Sequence, residues 1–198
     1  MKRLLIFLLT AFMGYSCSAQ QKVDLEKLTF KEDPRVIVKD RKKSADRTEP
    51  LTSLPAYTTY DIEGYSFGPV SLTEHCFVAF LLNSIEEKKL VGLIIGFETT
   101  AESEAIYKYV SQRYGKSVVL QKEAQLKDSH NKPYQGSSAF LWRNIQPGKS
   151  LLLSSIYEFV DGKPIKHTDL VLINNDQKPA YETNFKTVLD RVIKTYTP

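Results

Sequence analysis

Residues 88–120, KKLVGLIIGFETTAESEAIYKYVSQRYGKSVVL, decide the fold. From Leu90 to Phe97 both strand parities are apolar. Val91, Leu93, Ile95 and Phe97 fall on one side, and Leu90, Gly92, Ile94 and Gly96 on the other. Such a run belongs inside a sheet whose two sides are both at least partly covered. The alternate glycines leave room for another backbone or a large side chain to approach closely. Thr99 and Glu102 then make a capping box. Ala105, Ile106, Tyr109, Val110 and Tyr114 recur at helical spacing, so one stripe faces the sheet. Gly115 follows the stripe, where glycine best tolerates a left-handed C-terminal position. Val118 to Leu120 restart an extended run. Burying each large apolar side chain is worth roughly 1.5–3 kcal/mol, so packing rather than propensity makes this helix.

On the N-terminal side, Cys76 to Leu82 reads as a strand and Asn83 to Lys89 as the turn into the central unit. Before them, Ala56 to Ile62 and Tyr65 to Leu72 read as strands separated by Glu63-Gly64. On the C-terminal side, QKEAQLKDSHNKPYQG is a long hairpin loop or a fraying strand end. Gly136 to Arg143, Leu151 to Phe159 and Ile165 to Ile173 are strands, the last two joined by Asp161-Gly162, a strong hairpin signal. Tyr181, Phe185, Val188, Leu189, Val192, Ile193 and Tyr196 trace a helical stripe, with Pro179 suited to a first turn. The expected fold class is therefore α+β: a single antiparallel β-sheet with a mid-chain helix and a C-terminal helix packed on one face.

The start of the chain has the three-part layout of a secretory signal. Lys2 and Arg3 are basic, Leu4 to Met13 is apolar, and small residues follow. The apolar run is shorter than the ~20 residues that span a bilayer. Cleavage before Gln20, after Cys17 and Ala19, is the favoured outcome. Alternatively, Gly14-Tyr15-Ser16-Cys17 resembles a lipobox and would be acylated on Cys17, although Gly14 stands where leucine is usual. Either outcome places the protein in the periplasm or outside the cell, anchored to the membrane only through a lipidated Cys17. The expected organisation is a signal peptide at 1–19, a charged and mobile arm at 20–55, and one α+β domain at 56–198.

Without Lys2 and Arg3 the chain keeps 25 basic and 23 acidic residues, a net charge of +2. Nothing in that balance calls for nucleic acid or an anionic surface. Apart from Cys17 the sole cysteine is Cys76, so no internal disulfide is expected. Cys76 opens the apolar run CFVAFLL and reads as a buried small hydrophobe.

His75, His130 and His167 lack zinc-ligand spacing, and neither metal nor cofactor is expected. Asp128-Ser129-His130 contains triad residue types, but triads are assembled from separate segments. His167 and Asp169 share a strand face, with Glu158 near them in the preceding hairpin arm, and so form the candidate acid–base cluster of a small enzyme. A cross-strand polar cluster at a sheet edge is the alternative for the same three residues. Tyr57, Tyr65, Phe140 and Trp142 lie on or near strands and are the candidate residues for binding a partner.

An export-type start, the strand KKLVGLIIGF, a short helix ending in Tyr114-Gly115 and a later strand carrying Trp142 together resemble small exported bacterial proteins of uncharacterised function. Some of these are two-layer α+β folds. The resemblance spans roughly Thr73 to Ile173 and transfers no active-site residue. The sequence is read as a non-catalytic exported domain that binds a protein or ligand through its sheet face. The alternatives are an enzyme using Glu158, His167 and Asp169, and a lipid-anchored structural or assembly factor of the envelope.

Overall fold

The computed structural model describes residues 22–38, 47–83, 89–127, 130, 133–179 and 184–197. The chain opens with β1 (Val23–Asp24), a single 3-10 turn at Leu25–Lys27 and α1 (Pro34–Ile37). Six strands follow: β2 (Arg47–Glu49), β3 (Leu54–Thr59), β4 (Tyr65–Phe67), β5 (Val70–Ser71), β6 (Cys76–Leu82) and β7 (Leu90–Phe97). Helix α2 (Thr100–Tyr114) leads into β8 (Val118–Lys127), β9 (Pro133–Gln146), β10 (Lys149–Val160) and β11 (Lys163–Asn174), and α3 (Val188–Tyr196) comes last.

The strands form an eight-stranded sheet in the order β2-β3-β6-β7-β11-β10-β9-β8 and a three-stranded sheet in the order β1-β4-β5. Every neighbour in the large sheet is antiparallel, whereas β1 joins β4 in parallel. The expected single sheet is thus corrected to two, and the molecule is mostly β. The placement of both helices on one face is corrected as well. Ile106 and Val110 of α2 pack on one face, and Val188, Leu189 and Val192 of α3 pack on the other. The reason lies in β7, all of whose residues are buried. A central strand apolar at both parities needs a cover on each side, so each helix takes one face.

Both kinds of close approach expected at the glycines of β7 occur. A methyl group built on Gly92 would lie 2.7 Å from the Leu172 carbonyl oxygen, and one on Gly96 would lie 2.0 Å from the Phe77 ring. Helix α2 starts at the expected N-cap, but the Glu102 carboxylate meets the Thr99 hydroxyl rather than the Thr99 amide, so the expected capping box is half formed. Thr99 Oγ1 accepts from the Glu102 amide and donates to the Glu102 carboxylate at 2.6 Å. It ends at Gly115, whose φ of +73° falls in the region that favours glycine. The Trp142 indole Nε1 donates to the Gly115 carbonyl at 2.8 Å and fastens that end of the helix to β9. Helix α3 is shorter than its stripe. Thr187 and Asp190 form a capping box at its start, and Phe185 precedes the helix.

The α2 face has a second cover. Within the stretch read as a mobile arm, Leu25, Leu28, Phe30 and Val38 are buried in the α2-face core. Polar contacts hold the same segment. Glu26, only 7% exposed, accepts from Tyr109 Oη at 2.6 Å and from Tyr114 Oη, with Arg113 Nε at 3.7 Å. Lys149 Nζ donates to the Leu28 carbonyl and to Gln146 Oε1, and lies 4.5 Å from the centre of the Phe30 ring. Gln146 Nε2 in turn donates to the Glu26 carbonyl at 3.0 Å.

Candidate functional site

Cross-strand pairing places a row of residues on the α3 face below the helix. Phe77 pairs with Gly96, Gly96 with Asp169, Asp169 with Ser154, and Ser154 with Ala139. Paired residues in an antiparallel sheet project to the same side, so the Phe77 ring lies over Gly96 beside Asp169. The next row carries His167 opposite Ile156, and the one after it Ile165 opposite Glu158. Burial falls along these rows. Ser154 is buried, whereas Ile156 is 47% and Ile165 41% exposed, and His167 and Glu158 are exposed. Tyr60, 54% exposed, meets the Phe77 ring with centroids 5.9 Å apart. Helix α3 therefore covers the upper part of its face and leaves an apolar surface below.

Asp169 sits at the boundary between covered and bare sheet. Burial pushes its carboxyl up to about 6, the like charge of Glu49 adds to the rise, and His167 opposes it. Among the described residues no hydrogen bond or ion pair reaches this carboxylate. Tyr196, from the last turn of α3, is hydrogen-bonded to Ser154, and its phenol is raised by burial and by the charge of Asp169. A largely buried carboxylate without a donor pays the desolvation cost of its charge uncompensated.

The cluster of Glu158, His167 and Asp169 does share one face, as its spacing implied. Its members do not assemble for proton transfer. Among the described residues no hydrogen bond joins His167 to Asp169, Ser154 or Glu158, and His167 is solvent-exposed on open sheet. Acid–base work needs such contacts near 3 Å. Among the described residues no group of three or more His, Cys, Asp or Glu could hold a metal ion.

The aromatic candidates lie on the opposite, α2 face. Trp142 is 3% exposed, and Tyr65 is buried with its hydroxyl donating to the Ile37 carbonyl at 3.2 Å. Tyr57 and Phe140 are half-buried against the same core. These four are packing residues in this arrangement. Cys17 and Asp128-Ser129 lie outside the described residues. Cys76 is buried, and burial pushes its thiol up to about 12, far from thiolate reactivity. Tyr60 belongs to the strand aromatics that the sequence offers for a binding surface, whereas Ile156 and Ile165 were missed as surface residues, because aliphatic residues on strands are read first as core. The signal available for Ile156 and Ile165 was their polar company, Ser154 and Glu158 on one strand and His167 on the other.

No protein-family profile matches the chain, and no curated protein matches it, so it is assigned to no characterised family. Among solved structures it is similar to the Ran-binding protein Mog1p of Saccharomyces cerevisiae. The identity is 11%, over 65% of this chain and 76% of that one, with a TM-score of 0.33. A likeness of that size carries no conclusion about fold or function. Among the described residues no helix is long and apolar enough to cross a membrane.

Proposed function

We propose that this protein is an exported, non-catalytic domain that binds a partner on the part of the α3 face left bare by its helix. The observation that carries this reading is Asp169, a carboxylate raised by burial and without a donor among the described residues, one row from exposed Ile156 on a face that also exposes Ile165 and Tyr60. Uncompensated charge beside exposed apolar surface costs stability in the free protein, and perturbed groups of that kind concentrate at functional sites. The export half of the reading rests on the layout of Lys2, Arg3 and Leu4 to Met13, which lies outside the described residues.

A photo-crosslinking amino acid placed at Ile156 or Ile165, in the native cell, tests the surface. A defined adduct is expected from those two positions and not from Val36, which is exposed elsewhere. Equal adducts from all three positions sink the reading. Mass spectrometry of the native N-terminus tests export: a start at Gln20, or an acylated Cys17, supports it, and a retained leader removes it.

A further inference from the structure

The chemistry of the α3 face is specific enough to say what kind of partner it fits. Its bare part has an anionic centre between two apolar wings. Phe77 and Tyr60 form one wing, in ring contact with each other. Ile156 and Ile165 form the other, on neighbouring strands and one row apart. Asp169 lies between them, with Glu49 near enough to add its charge. Glu158 stands exposed opposite Ile165, so the surface gains a further acid at its outer rim. The groups facing Asp169 are Glu49 from β2, His167 from its own strand, Ser154 from β10 and Tyr196 from α3. Among the side chains described, the basic groups on this part of the face are His167 and, at the hairpin tip, the exposed Lys163.

Resting on the binding reading above, we infer that the occupant is a protein segment that sets a lysine or arginine side chain against Asp169, with apolar residues on both sides of it. A long basic side chain suits this geometry because its methylene stem lies along apolar surface while its head reaches the acid. The charge-assisted hydrogen bond gives Asp169 a donor that no described residue supplies. A second copy of the chain is disfavoured, since an isologous contact would bring Asp169 and Glu158 toward their own equivalents. An anionic ligand is disfavoured by the same acids.

The test uses protein purified from its native cells and four short peptides of the form Tyr-Val-X-Ile-Tyr, with X lysine, arginine, norleucine or glutamate. Affinities are read by fluorescence polarisation at pH 8 and pH 5. The lysine and arginine peptides are expected to bind about tenfold more tightly than the norleucine peptide at pH 8. That advantage should vanish at pH 5, where Asp169 takes up its proton, and in Asp169→Asn at either pH. Near-UV circular dichroism verifies that the variant is folded. If norleucine binds as tightly as lysine and Ile156→Asp abolishes both, the charge inference is overturned and the surface reading stands. If no peptide binds, or binding ignores Ile156→Asp, both fall. Equal binding by n-butylamine alone would make the ligand a free amine and overturn the protein-segment inference. So would a concentration-dependent dimer abolished by Ile156→Asp.

Discussion

Glu26 on the α2 face of the large sheet is buried, Asp169 on the α3 face is partly buried, and the two carboxylates are treated in opposite ways. On the α2 face, Glu26 is met by two tyrosine hydroxyls and by Arg113. On the α3 face, Asp169 is met by none among the described residues, and its nearest ionised neighbours include a like charge. A buried charge with a complete set of donors fixes one arrangement of the chain. A buried charge without them is a liability in the isolated molecule that a partner can relieve. The contrast separates a latch, which ties residues 22–38 to α2, from the proposed docking point.

Of the two carboxylates, the larger effect should come from breaking the latch. Glu26→Ala leaves two half-buried phenols without their acceptor, and is expected to cost about 3 kcal/mol in urea unfolding at pH 7. Amide exchange over residues 22–38 should rise in the same variant. A loss below ~1 kcal/mol would mean that Leu25, Leu28 and Phe30 hold the segment by themselves. The latch also has its own pH signature. Burial, followed by the bond to Glu26, pushes Tyr109 up to about 12 and raises Tyr114 too. Their contribution is therefore complete below pH ~10 and is lost as pH rises through their folded values.

Removing the other carboxylate should do the reverse. The folded value of Asp169, about 6, stands above its ordinary 3.8. Its contribution is therefore fully present below pH ~4 and lost as pH rises through 6, so at pH 8 the protein carries the whole penalty. Asp169→Asn keeps the shape and deletes the charge. It should stabilise the protein by ~2 kcal/mol at pH 8, less than the full linkage value, and by close to nothing at pH 3.5. A destabilised variant at pH 8 would show that Asp169 is paired after all. A smaller change isolates the helix beside it. Thr187→Ala removes half of the capping box on α3 and should cost ~1 kcal/mol. Exchange should then increase over residues 188–196 and not over α2.

Local signals in the sequence translated well, and relations between distant segments did not. The N-cap at Thr99, the stop at Gly115 and the Asp161-Gly162 turn each depend on a few adjacent residues, and each is present in the structure. The apolar parities of β7 correctly required cover on both sides. They did not say which segment supplies it, because a helical stripe fits either face equally well. The N-terminal stretch was obscured by composition. Its charged residues outnumber Leu25, Leu28 and Phe30, yet Glu26 and Asp24 are themselves tied to the body, Asp24 by accepting from the Gly68 amide at 2.9 Å. Nothing local marks a glutamate as the future partner of tyrosines more than eighty positions away. The cluster at Asp169 was half legible. Alternation put His167 and Asp169 on one face, but burial of the second and exposure of the first depend on where α3 ends.

The smallest expected effect is the most discriminating. Ile156 and Trp142 are both large apolar residues in the middle of strands, and sequence alone favours the tryptophan as the surface anchor. The structure inverts this: Trp142 is 3% exposed and hydrogen-bonded to Gly115, and Ile156 is 47% exposed. Trp142→Ala should therefore behave as a core truncation, with a loss on the order of 3 kcal/mol. Ile156→Ser removes surface that water already reaches, so its stability should change by no more than ~0.5 kcal/mol. If the bare part of the α3 face is where a partner docks, that nearly silent substitution abolishes the adduct formed by a crosslinker at Ile165. An adduct that survives Ile156→Ser, in protein whose unfolding midpoint has not moved, would place the contact elsewhere and leave Asp169 a buried charge with no partner to explain it.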